Sequence, residues 1–382
     1  MPLRLLKLIL INQLKEGFIF FVKNLTNVNT LDISKTQIMN HFQNIWDFKN
    51  ASKENLTQHA FDYLVGGADD LRTFNRNIEA YQHFQIRPRR LVDVTNVDTS
   101  MTLFGKKYAS PIFLAPVGFQ ELFHKDGEIP AVKAAALKNI LSIASTVTSK
   151  SFTEICKAVN TPPWFQLYTT SDQTTTTRLL DQAQKNNCKT IVLTIDVPVP
   201  GNREQHIEIL TGNMRTENAL GNFKNGGADF DATLTWDFIP WFRKNYDMNL
   251  ILKGIMTAED AALALDYEVD GIIVSNHGGR QLESDLSTIE VLEEISKTIN
   301  RAIPILIDGG IRRGTDIFKA LALGATAVGI GRPYIYGLAT DGQAGVEMVL
   351  DILQTELVRN MQLAGVTSIS KINKKQIREK KF

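Results

Sequence analysis

The fold class is indicated most clearly by the segment PILIDGGIRRGTDIFKALALGATAVGIGR, residues 304–332. It contains two short apolar runs, "PILIDGG" (304–310) and "AVGIGR" (327–332), on either side of "GTDIFKALALGA" (314–325). Each apolar run is too short for a helix and ends in glycine, which is typical of a buried strand followed by a turn. The segment between them has the length of a helix and closes on glycine, a common helix stop. This strand–helix–strand order is the repeating unit of a parallel α/β sheet.

The same alternation extends over most of the chain. Six further apolar runs are "SPIFLAP" (110–116), "ILSIAS" (140–145), "WFQLY" (164–168), "TIVLTID" (190–196), "NLILKG" (249–254) and "GIIVSN" (271–276). Helix-like segments separate most of them, among them "GEIPAVKAAALKN", "TTTTRLLDQAQKNN" and "TAEDAALALDY". Eight strands that alternate with helices predict a (β/α)8 TIM barrel with its active site at the carboxyl ends of the strands. A doubly wound open sheet is the alternative, but no GxGxxG opens the first strand–helix unit.

The segments outside the barrel divide the chain into three parts. Residues 1–35 form an apolar N-terminal extension interrupted by charges, without the roughly 20 clean apolar residues of a spanning helix. It is either an amphipathic helix on a membrane surface or a helix packed on the domain. Residues 36–370 form one barrel domain, and residues 371–382 form a basic tail.

Two connections near the barrel carry expectations of their own. Residues 205–235, after the fourth strand, are a long loop rich in Gly and Asn, which we interpret as a lid over the barrel mouth, with a plain surface insertion as the alternative. Before the barrel, "SKENLTQHAFDYLVGGADD" predicts one helix capped by Ser52 and stopped by Gly66-Gly67, with Tyr63 on its last turn.

Composition excludes several classes of protein. The 42 Lys and Arg balance the 41 Asp and Glu, so the basic excess of a nucleic-acid binder is missing. Only Cys156 and Cys188 occur, with no CxxC pair, which argues against a disulfide framework and indicates a reducing, cytoplasmic compartment. None of the six histidines has HxxxH spacing, so we predict no metal site.

Polar side chains recur where the predicted strands end. A lone lysine or aspartate at such a place is usually a solvated charge, and a lone histidine is usually a structural hydrogen bonder. Six strands that end in this way at one barrel face predict a shared site instead. The residues concerned are Gln166, Tyr168, Thr194, Asp196, Lys253, Ser275, Asn276, His277, Asp308, Gly309, Gly310, Gly329, Gly331 and Arg332.

The last two strands indicate the ligand. Their glycines and the adjacent Arg312 and Arg332 favour a bound phosphate over two ordinary turns. Ser145, Gln166 and Thr194 can hydrogen-bond an amide-and-imide edge, and Lys253 would stabilise negative charge on a reduced flavin ring. The cofactor expected on this basis is flavin mononucleotide (FMN).

With these residues in place, the sequence resembles the FMN-dependent 2-hydroxy acid oxidase and dehydrogenase family, which includes glycolate oxidase, lactate oxidase, flavocytochrome b2 and mandelate dehydrogenase. "SNHGGRQLE" (275–283) is close to that family's signature, and "FDYLVGGADD", "RPRRLVDV", "FQLY", "LKGIMTAEDA" and "DGGIRRGTDIFKALALGA" follow in the family's order. The resemblance covers about residues 36–370. It implies oxidation of a small L-2-hydroxy acid to the 2-oxo acid, with electrons passed on to oxygen, a quinone or a cytochrome.

The resemblance also assigns roles to individual residues. His277 matches the catalytic base and Asp196 its carboxylate partner, which would raise the basicity of the histidine. Arg203 and Arg280 match the arginines that hold the substrate carboxylate, and Tyr63 and Tyr168 match the tyrosines that hydrogen-bond the substrate. The residues that match FMN contacts are Pro116, Val117, Gly118, Ser145, Gln166, Thr194, Lys253, Ser275, Asp308, Gly309, Gly310, Arg312, Gly331 and Arg332. The family commonly forms tetramers, so a homo-oligomer is expected.

Two departures from the family concern the pocket wall. Gly118 stands where many members have alanine, and Val147 stands where glycolate oxidases have tryptophan. An aliphatic wall suggests lactate or a somewhat larger substrate, with glycolate and aromatic 2-hydroxy acids as alternatives. Two other classes are a non-redox flavin-barrel isomerase, which would need a second phosphate site, and a barrel without catalysis. An amphipathic extension would place the otherwise cytoplasmic protein peripherally at the inner membrane.

Overall fold

The computed structural model describes residues 42–204, 221–223 and 230–380. Within those residues, eight parallel strands form a closed barrel. None of the helices described is both long enough and apolar enough to cross a membrane.

From residue 42 onward, three helices precede the barrel: α1 (Ile45–Asn55), α2 (Gln58–Val65) and α3 (Arg72–Glu79). The expectation of one helix capped by Ser52 is wrong, because Ser52 lies inside α1 and its Oγ donates to the carbonyl of Lys49. Thr57 caps α2 instead, since its hydroxyl accepts from the amide of Ala60. Gly66 ends α2 as expected, and Tyr63 lies on its last turn.

A short hairpin closes one end of the barrel. After β1 (Phe84–Ile86), β2 (Met101–Leu103) and β3 (Lys106–Tyr108) pair in antiparallel fashion. Their apolar side chains join the side chains of the barrel interior in one buried cluster, which includes Phe113, Val192 and Ile251. Because this packing fills the barrel end, the opposite end is left for a ligand.

The barrel strands coincide with the eight apolar runs, which confirms the predicted fold. They are β4 (Ile112–Leu114), β5 (Leu141–Ala144), β6 (Trp164–Leu167), β7 (Thr190–Thr194), β8 (Asn249–Ile255), β9 (Gly271–Val274), β10 (Ile305–Ile307) and β11 (Ala327–Ile330). Neighbours in sequence are neighbours in the barrel, and β11 closes the ring by pairing with β4. Most strand residues are fully buried because they face either the interior or the helices.

Helices cover the outside of the barrel. They are α4 (Ile129–Leu137), α5 (Phe152–Lys157), α6 (Gln173–Lys185), α7 (Phe238–Asn245), α8 (Ala258–Asp266), α9 (Thr288–Ile299), α10 (Gly314–Leu323) and α11 (Arg332–Ala364). Side chains of Asp172 and Thr257 cap α6 and α8. The long α11 is kinked at Asp341 and Gly342, where the backbone leaves helical angles.

The segments outside the barrel are described only in part. The predicted extension, residues 1–35, lies outside the described residues, as does most of the loop 205–235. In the tail, β12 (Ile377–Glu379) pairs in antiparallel fashion with β1, so this backbone is fixed to the domain. Its basic side chains, among them Lys371, Lys375 and Arg378, are exposed.

Candidate active site

The polar strand ends converge on one cavity at the carboxyl end of the barrel. Most of the residues singled out from the sequence line it: Tyr63, Pro116, Val117, Gly118, Ser145, Tyr168, Arg203, Lys253, His277, Arg280, Asp308, Gly309, Gly310, Arg312, Gly331 and Arg332. Asp196 and Ser275 lie behind His277 and Lys253, which they contact. Gln166 contacts Ser145. Thr194 lines a neighbouring apolar cavity that shares Tyr168 and Phe230 with the first.

His277 follows β9 in a left-handed conformation, with φ at +59°. Its ring lies between two partners: Nδ1 is 3.0 Å from Oδ1 of Asp196, and Nε2 is 3.2 Å from the hydroxyl of Tyr168. The backbone amide of His277 donates to Ser275 Oγ at 3.2 Å. If the carboxylate accepts a proton from Nδ1, Nε2 is the nitrogen with a free lone pair. The ring is therefore oriented to take a proton on its Nε2 side.

The charge state of this pair follows from burial and neighbouring charges. Burial lowers the pKa of His277, and the positive charges of Lys253 and Arg203 lower it further. The carboxylate of Asp196 acts in the opposite direction and raises this pKa. The expected rise in the basicity of His277 is therefore outweighed by desolvation. Burial alone would raise the pKa of Asp196, but His277 and Lys253 together hold it below its usual value. The resting pair is thus a neutral imidazole beside a carboxylate.

Two arginines lie on the same side of the cavity. Nη1 of Arg280 donates to the carbonyls of Tyr63 and Gly66 at 2.9 Å each, and its guanidinium lies 4.7 Å from the centre of the Tyr63 ring. Burial, with the charge of Arg203, lowers the pKa of Arg280 to about 10, so it keeps its charge at neutral pH. Arg203 is 9% exposed, and its Nε donates to the carbonyl of Arg280. Among the described residues neither arginine forms an ion pair with a carboxylate, and two such buried cations favour an anionic ligand.

The side chain of Gln281 links the backbone around Asp196 to Arg203 and to the loop after β9. Its Oε1 accepts from Nη2 of Arg203 at 2.9 Å and from the amide of Gly201 at 3.1 Å. Its Nε2 donates to the carbonyls of Asp196 and Val199, at 3.2 and 3.0 Å. One side chain therefore fixes the loop that follows β7 to the loop that follows β9.

A buried triad occupies the centre of the barrel mouth. Nζ of Lys253 donates to Ser275 Oγ at 2.9 Å and lies 3.6 Å from Asp308 Oδ2. Ser275 Oγ in turn donates to Asp308 Oδ1 at 2.7 Å. Lys253 is only 4% exposed, so its position is fixed by these two partners. It presents a fixed positive charge to the cavity.

The wall opposite the triad carries buried hydrogen-bonding atoms. Oε1 of Gln166 accepts from Ser145 Oγ at 3.0 Å and from the amide of Thr146. Nε2 of Gln166 is buried and finds no partner within the part of the chain that is described. Oγ1 of Thr194, which lies beside Lys253 on the adjacent strand β7, is likewise buried without a partner among the described residues. Buried polar atoms are normally hydrogen-bonded, so these atoms indicate a ligand with polar ring edges.

The turns after β10 and β11 form the other end of the cavity. Arg312 is 5% exposed, its Nη1 donates to the carbonyl of Ile311, and its Nε finds no partner among the described residues. Arg332 is engaged with Leu64, Gly66 and Gly278, whose carbonyls all accept from it. Its side chain therefore fixes the end of α2, while its backbone opens α11.

The glycine turns suit the close approach of a ligand. Gly309 and Gly310 have φ of +99° and +79°, which other residues rarely adopt. Around Gly331, an added Cβ would meet only Val117, at 3.8 Å, among the described atoms. The amides at the start of α10 donate to Asp316 and Glu356, so the amides that suit a phosphate are those at the start of α11, where Gly331 lines the same cavity as Arg312.

Gly118 and Val147 face each other on the wall. A Cβ on Gly118 would come within 2.6 Å of Val147 Cγ2 and 2.8 Å of its carbonyl oxygen. The alanine that many relatives carry therefore requires Val147 to shift in this chain. The two departures from the family pattern are structurally coupled.

Some residues at the site were not singled out from the sequence. Gln281 lies inside the quoted motif "SNHGGRQLE", and its spacing gave no reason to choose it. Glu128 is 1% exposed and accepts from the amides of Gln120, Ser149 and Lys150, so it joins the loops that carry Gly118 and Val147. Asn77 on α3 contacts Asn276 and had no sequence signal at all.

Comparison with known proteins gives the class of protein that this site belongs to. Residues 52–379 match the family described as FMN-dependent dehydrogenase. The chain is 41% identical over 353 residues to peroxisomal (S)-2-hydroxyacid oxidase GLO3 of Arabidopsis thaliana, covering 89% of this chain and 97% of that protein. It is 37% identical over 351 residues to L-lactate oxidase of a Nostoc species, covering 86% of this chain and 96% of that protein. The structure of a soluble mutant of the membrane-associated (S)-mandelate dehydrogenase of Pseudomonas putida superimposes with a TM-score of 0.83, at 31% identity, covering 89% and 100%.

This chain belongs to the FMN-dependent dehydrogenase family. Its cofactor is FMN, and it is an oxidoreductase of the 2-hydroxy acid oxidase type. The cavity fits that cofactor on its own evidence. The unpartnered Nε2 of Gln166 suits a ring edge, and Lys253 and Arg312 are buried cations that suit an anionic ring and a phosphate.

Proposed function

We propose that the protein oxidises a small L-2-hydroxy acid, L-lactate or a close relative, to the 2-oxo acid. The observation that carries this proposal is the contact of His277 with Asp196 and Tyr168 in a cavity that also holds Arg203 and Arg280. A base beside two carboxylate-binding cations matches a substrate with a hydroxyl group next to a carboxylate.

The residues would divide the work as follows. Arg280 and Arg203 bind the substrate carboxylate, and Tyr63 and Tyr168 hydrogen-bond the substrate. His277 takes a proton from the substrate, and Asp196 stabilises the imidazolium that results. The oxidation removes two electrons and two protons from the alcohol, and bound FMN supplies the two-electron acceptor. Lys253 compensates the negative charge that accompanies reduction.

The wall of the cavity supports a substrate with a small side chain. Val147 is 8% exposed and packs against Gly118, where an added Cβ would lie 2.6 Å from Val147 Cγ2. The side chains of Tyr63 and Phe230 also limit the space. L-lactate fits an aliphatic wall better than glycolate does, because its methyl group buries apolar surface. Larger and aromatic 2-hydroxy acids are the second choice, since (S)-mandelate dehydrogenase has the same fold.

The electron acceptor and the assembly are part of the same proposal. Oxygen would make the protein an oxidase, and a quinone or cytochrome would make it a dehydrogenase with peripheral membrane contact. Relatives of both types are similar to this chain. We propose a cytoplasmic homo-oligomer, with a tetramer as the form that the family resemblance implies. Light scattering on the purified holoenzyme measures the assembly directly.

An anaerobic titration with L-lactate tests the proposal. Bleaching of the oxidised flavin band by L-lactate and not by D-lactate is expected. The rate at which colour returns in air then separates an oxidase from a dehydrogenase. A flavin that L-lactate does not bleach, but glycolate or (S)-mandelate does, would change the substrate. A flavin that no 2-hydroxy acid bleaches would overturn the proposed function.

A further inference from the structure

The loop after β9 has a backbone that needs support. His277, Gly278 and Gly279 are three consecutive left-handed residues, with φ of +59°, +64° and +73°. Glycine adopts this region easily, but histidine does so at a cost in conformational energy. Because the direction of the imidazole depends on this backbone, some other part of the molecule must hold it.

The side chain of Asn276 closes the loop on itself. Its Oδ1 accepts from the amide of Gly279 at 3.2 Å, and its Nδ2 donates to the carbonyl of Leu286 at 2.9 Å. These two bonds join the beginning and the end of the loop. The orientation of the Asn276 amide therefore sets the path of residues 277–279.

Asn77, on α3 outside the barrel, fixes that amide from the other side. Nδ2 of Asn77 donates to Oδ1 of Asn276 at 2.8 Å, and Nδ2 of Asn276 donates to Oδ1 of Asn77 at 2.9 Å. Oδ1 of Asn77 also accepts from the amide of Thr288 at 3.3 Å, at the start of α9. The two asparagines are 1% and 4% exposed. A reciprocal pair this well buried admits one orientation of each amide.

The helix that carries Asn77 is itself pressed against the loops of the site. A Cβ on Gly279 would lie 2.4 Å from the amide nitrogen of Phe74, and a Cβ on Gly310 would lie 1.8 Å from the carbonyl oxygen of Asn77. Thr73 Oγ1 donates to the carbonyl of Leu282 at 3.0 Å. The position of α3 relative to the barrel is therefore fixed independently of the asparagine pair.

We propose that Asn77 is a positioning residue for the reaction, which acts through Asn276 to hold the His277 backbone in its left-handed form. The inference rests on the proposed role of His277 as the base. Asn77 is not among the residues that line the cavity, so it acts through the loop and not on the reacting groups. Its effect is to keep Nε2 of His277 beside Tyr168 and Nδ1 beside Asp196.

Two substitutions test this role in different ways. Asn77→Ala removes a donor from Oδ1 of Asn276 and an acceptor from the amide of Thr288. Asn77→Asp keeps the shape of the side chain. A protonated aspartic acid can donate to Asn276 and accept from it, so it reproduces the pair, whereas the carboxylate can only accept. Acidification should therefore raise the rate of flavin reduction in Asn77→Asp relative to the wild type, and should not do so in any other variant.

The measurement is the rate of flavin reduction in the holoenzyme, by whichever of L-lactate, glycolate and (S)-mandelate reduces the wild type fastest. Asn77→Ala should bind FMN and be reduced on the order of 10–100 times more slowly, since small misplacements of a reacting group have effects of this size. KM should change much less than kcat. The ratio of the Asn77→Asp rate to the wild-type rate should rise as the pH falls.

Thr73→Val is the matched control. Thr73 is also buried on α3 and bonded to the same loop, at Leu282 and Asp285, but not to the part that carries His277. It should lower the melting temperature and leave the reduction rate within roughly threefold, because its contacts lie beyond the histidine. Equal rates in Asn77→Ala and Thr73→Val, with equal losses of stability, would show that Asn77 is only structural.

The remaining outcomes are also decisive. If Asn77→Ala does not fold, the proposal is overturned when the ratio of the Asn77→Asp reduction rate to the wild-type rate does not change with pH. If no 2-hydroxy acid reduces the wild type, the proposed function fails first, and amide hydrogen exchange still tests the positioning. Exchange of residues 277–279 should be faster in Asn77→Asp than in Thr73→Val at neutral pH, and equal exchange would refute it.

Discussion

His277 is subject to two opposing influences on its charge. Burial favours the neutral ring, and the carboxylate of Asp196 favours the protonated ring. The net direction is towards the neutral form, which is the form that a base needs before it reacts. Asp196 is useful later, because it stabilises the ring once a proton has been taken.

A pH profile tests this balance. Because the pKa of His277 is lowered below its ordinary 6.5, kcat/KM should fall on the acid side with a midpoint below that value and be flat at neutral pH. Asp196→Asn removes the anion that opposes burial, so the midpoint should move further towards acid and the plateau should drop. A wild-type midpoint above 6.5 would contradict the assignment of this titration to His277.

The base itself is tested by His277→Gln. The amide can keep the hydrogen bond to Asp196, but it cannot accept a proton at neutral pH. We expect FMN to remain bound and its reduction by substrate to slow on the order of 10²–10⁴-fold. Stopped-flow absorbance under anaerobic conditions measures the rate. Reduction near the wild-type rate would exclude His277 as the base.

Arg280 is tested by replacement with lysine. A lysine keeps a positive charge but loses the planar fork that binds a carboxylate with two bonds. Arg280→Lys should weaken substrate binding on the order of 10–100-fold, in line with the loss of a charge-assisted bond. The exposed Arg359→Lys on α11 is the control. An unchanged KM in Arg280→Lys would refute the assignment of the substrate carboxylate to this residue.

The loops that follow β7 and β9 are joined by side-chain hydrogen bonds. The loop from Asp196 to Arg203 follows β7, and the loop from His277 to Gln281 follows β9. Four hydrogen bonds of Gln281 join them, and Gly201 approaches the second loop closely. His277, Asp196, Arg203 and Arg280 therefore lie on two loops that the Gln281 side chain holds to each other.

Gly201→Ala should separate the two loops. A Cβ there would lie 2.4 Å from the carbonyl oxygen of Arg280 and 2.7 Å from Cα of Gln281. Overpacking of this kind typically costs about 1–3 kcal/mol of unfolding free energy. We expect both a higher KM and a lower kcat, measured at full FMN occupancy. Gly105→Ala is the control for loss of stability alone: its backbone has φ at +76°, which strains any side chain, but no atom lies within 4 Å of the added Cβ. Equal effects of both changes on KM and kcat would argue against the coupling.

The sequence predicts elements better than it predicts their contacts. All eight barrel strands were located from apolar runs, because burial on both faces leaves a strong local pattern. The helix boundary at Ser52 was wrong, because two helices in succession give nearly the same pattern as one. Arg332 and Thr194 show the limit at the site. Strand ends indicate which residues face the mouth, but side-chain direction depends on neighbours such as the carbonyls of α2.

The sequence pattern did not predict the residues that support the site indirectly, by contacting other site residues. Asn77 is separated from Asn276 by most of the barrel sequence, and an asparagine in a helix has no distinguishing period. Its partner becomes apparent only when α3 is packed against the loop. Gln281 was inside a recognised motif, yet its four hydrogen bonds depend on the approach of a loop from another strand.

At the scale of the molecule, the cofactor should contribute to stability. Lys253 and Arg312 are buried, and Nε2 of Gln166 finds no partner in the described part of the protein. Loss of FMN leaves Nε of Arg312 and Nε2 of Gln166 without a partner among the described residues, while Lys253 keeps only Asp308 and Ser275. The apoprotein should therefore melt at a lower temperature, by an amount that grows with FMN concentration in reconstitution. Riboflavin should restore less than FMN, because it lacks the phosphate. Identical melting curves for the apoprotein and the holoprotein would contradict this view of the site.

The closure of the ring by β11 against β4 has a consequence for biosynthesis. The chain emerges from the ribosome in order, and the partner strand that β4 needs is nearly the last to appear. At ~5–20 residues per second, β4 precedes β11 by roughly 10–40 seconds. During that interval the nascent chain exposes two unpaired strand edges, which are the parts most prone to pair with another molecule. Rapid completion of translation, or a chaperone that covers those edges, should therefore raise the yield of folded protein.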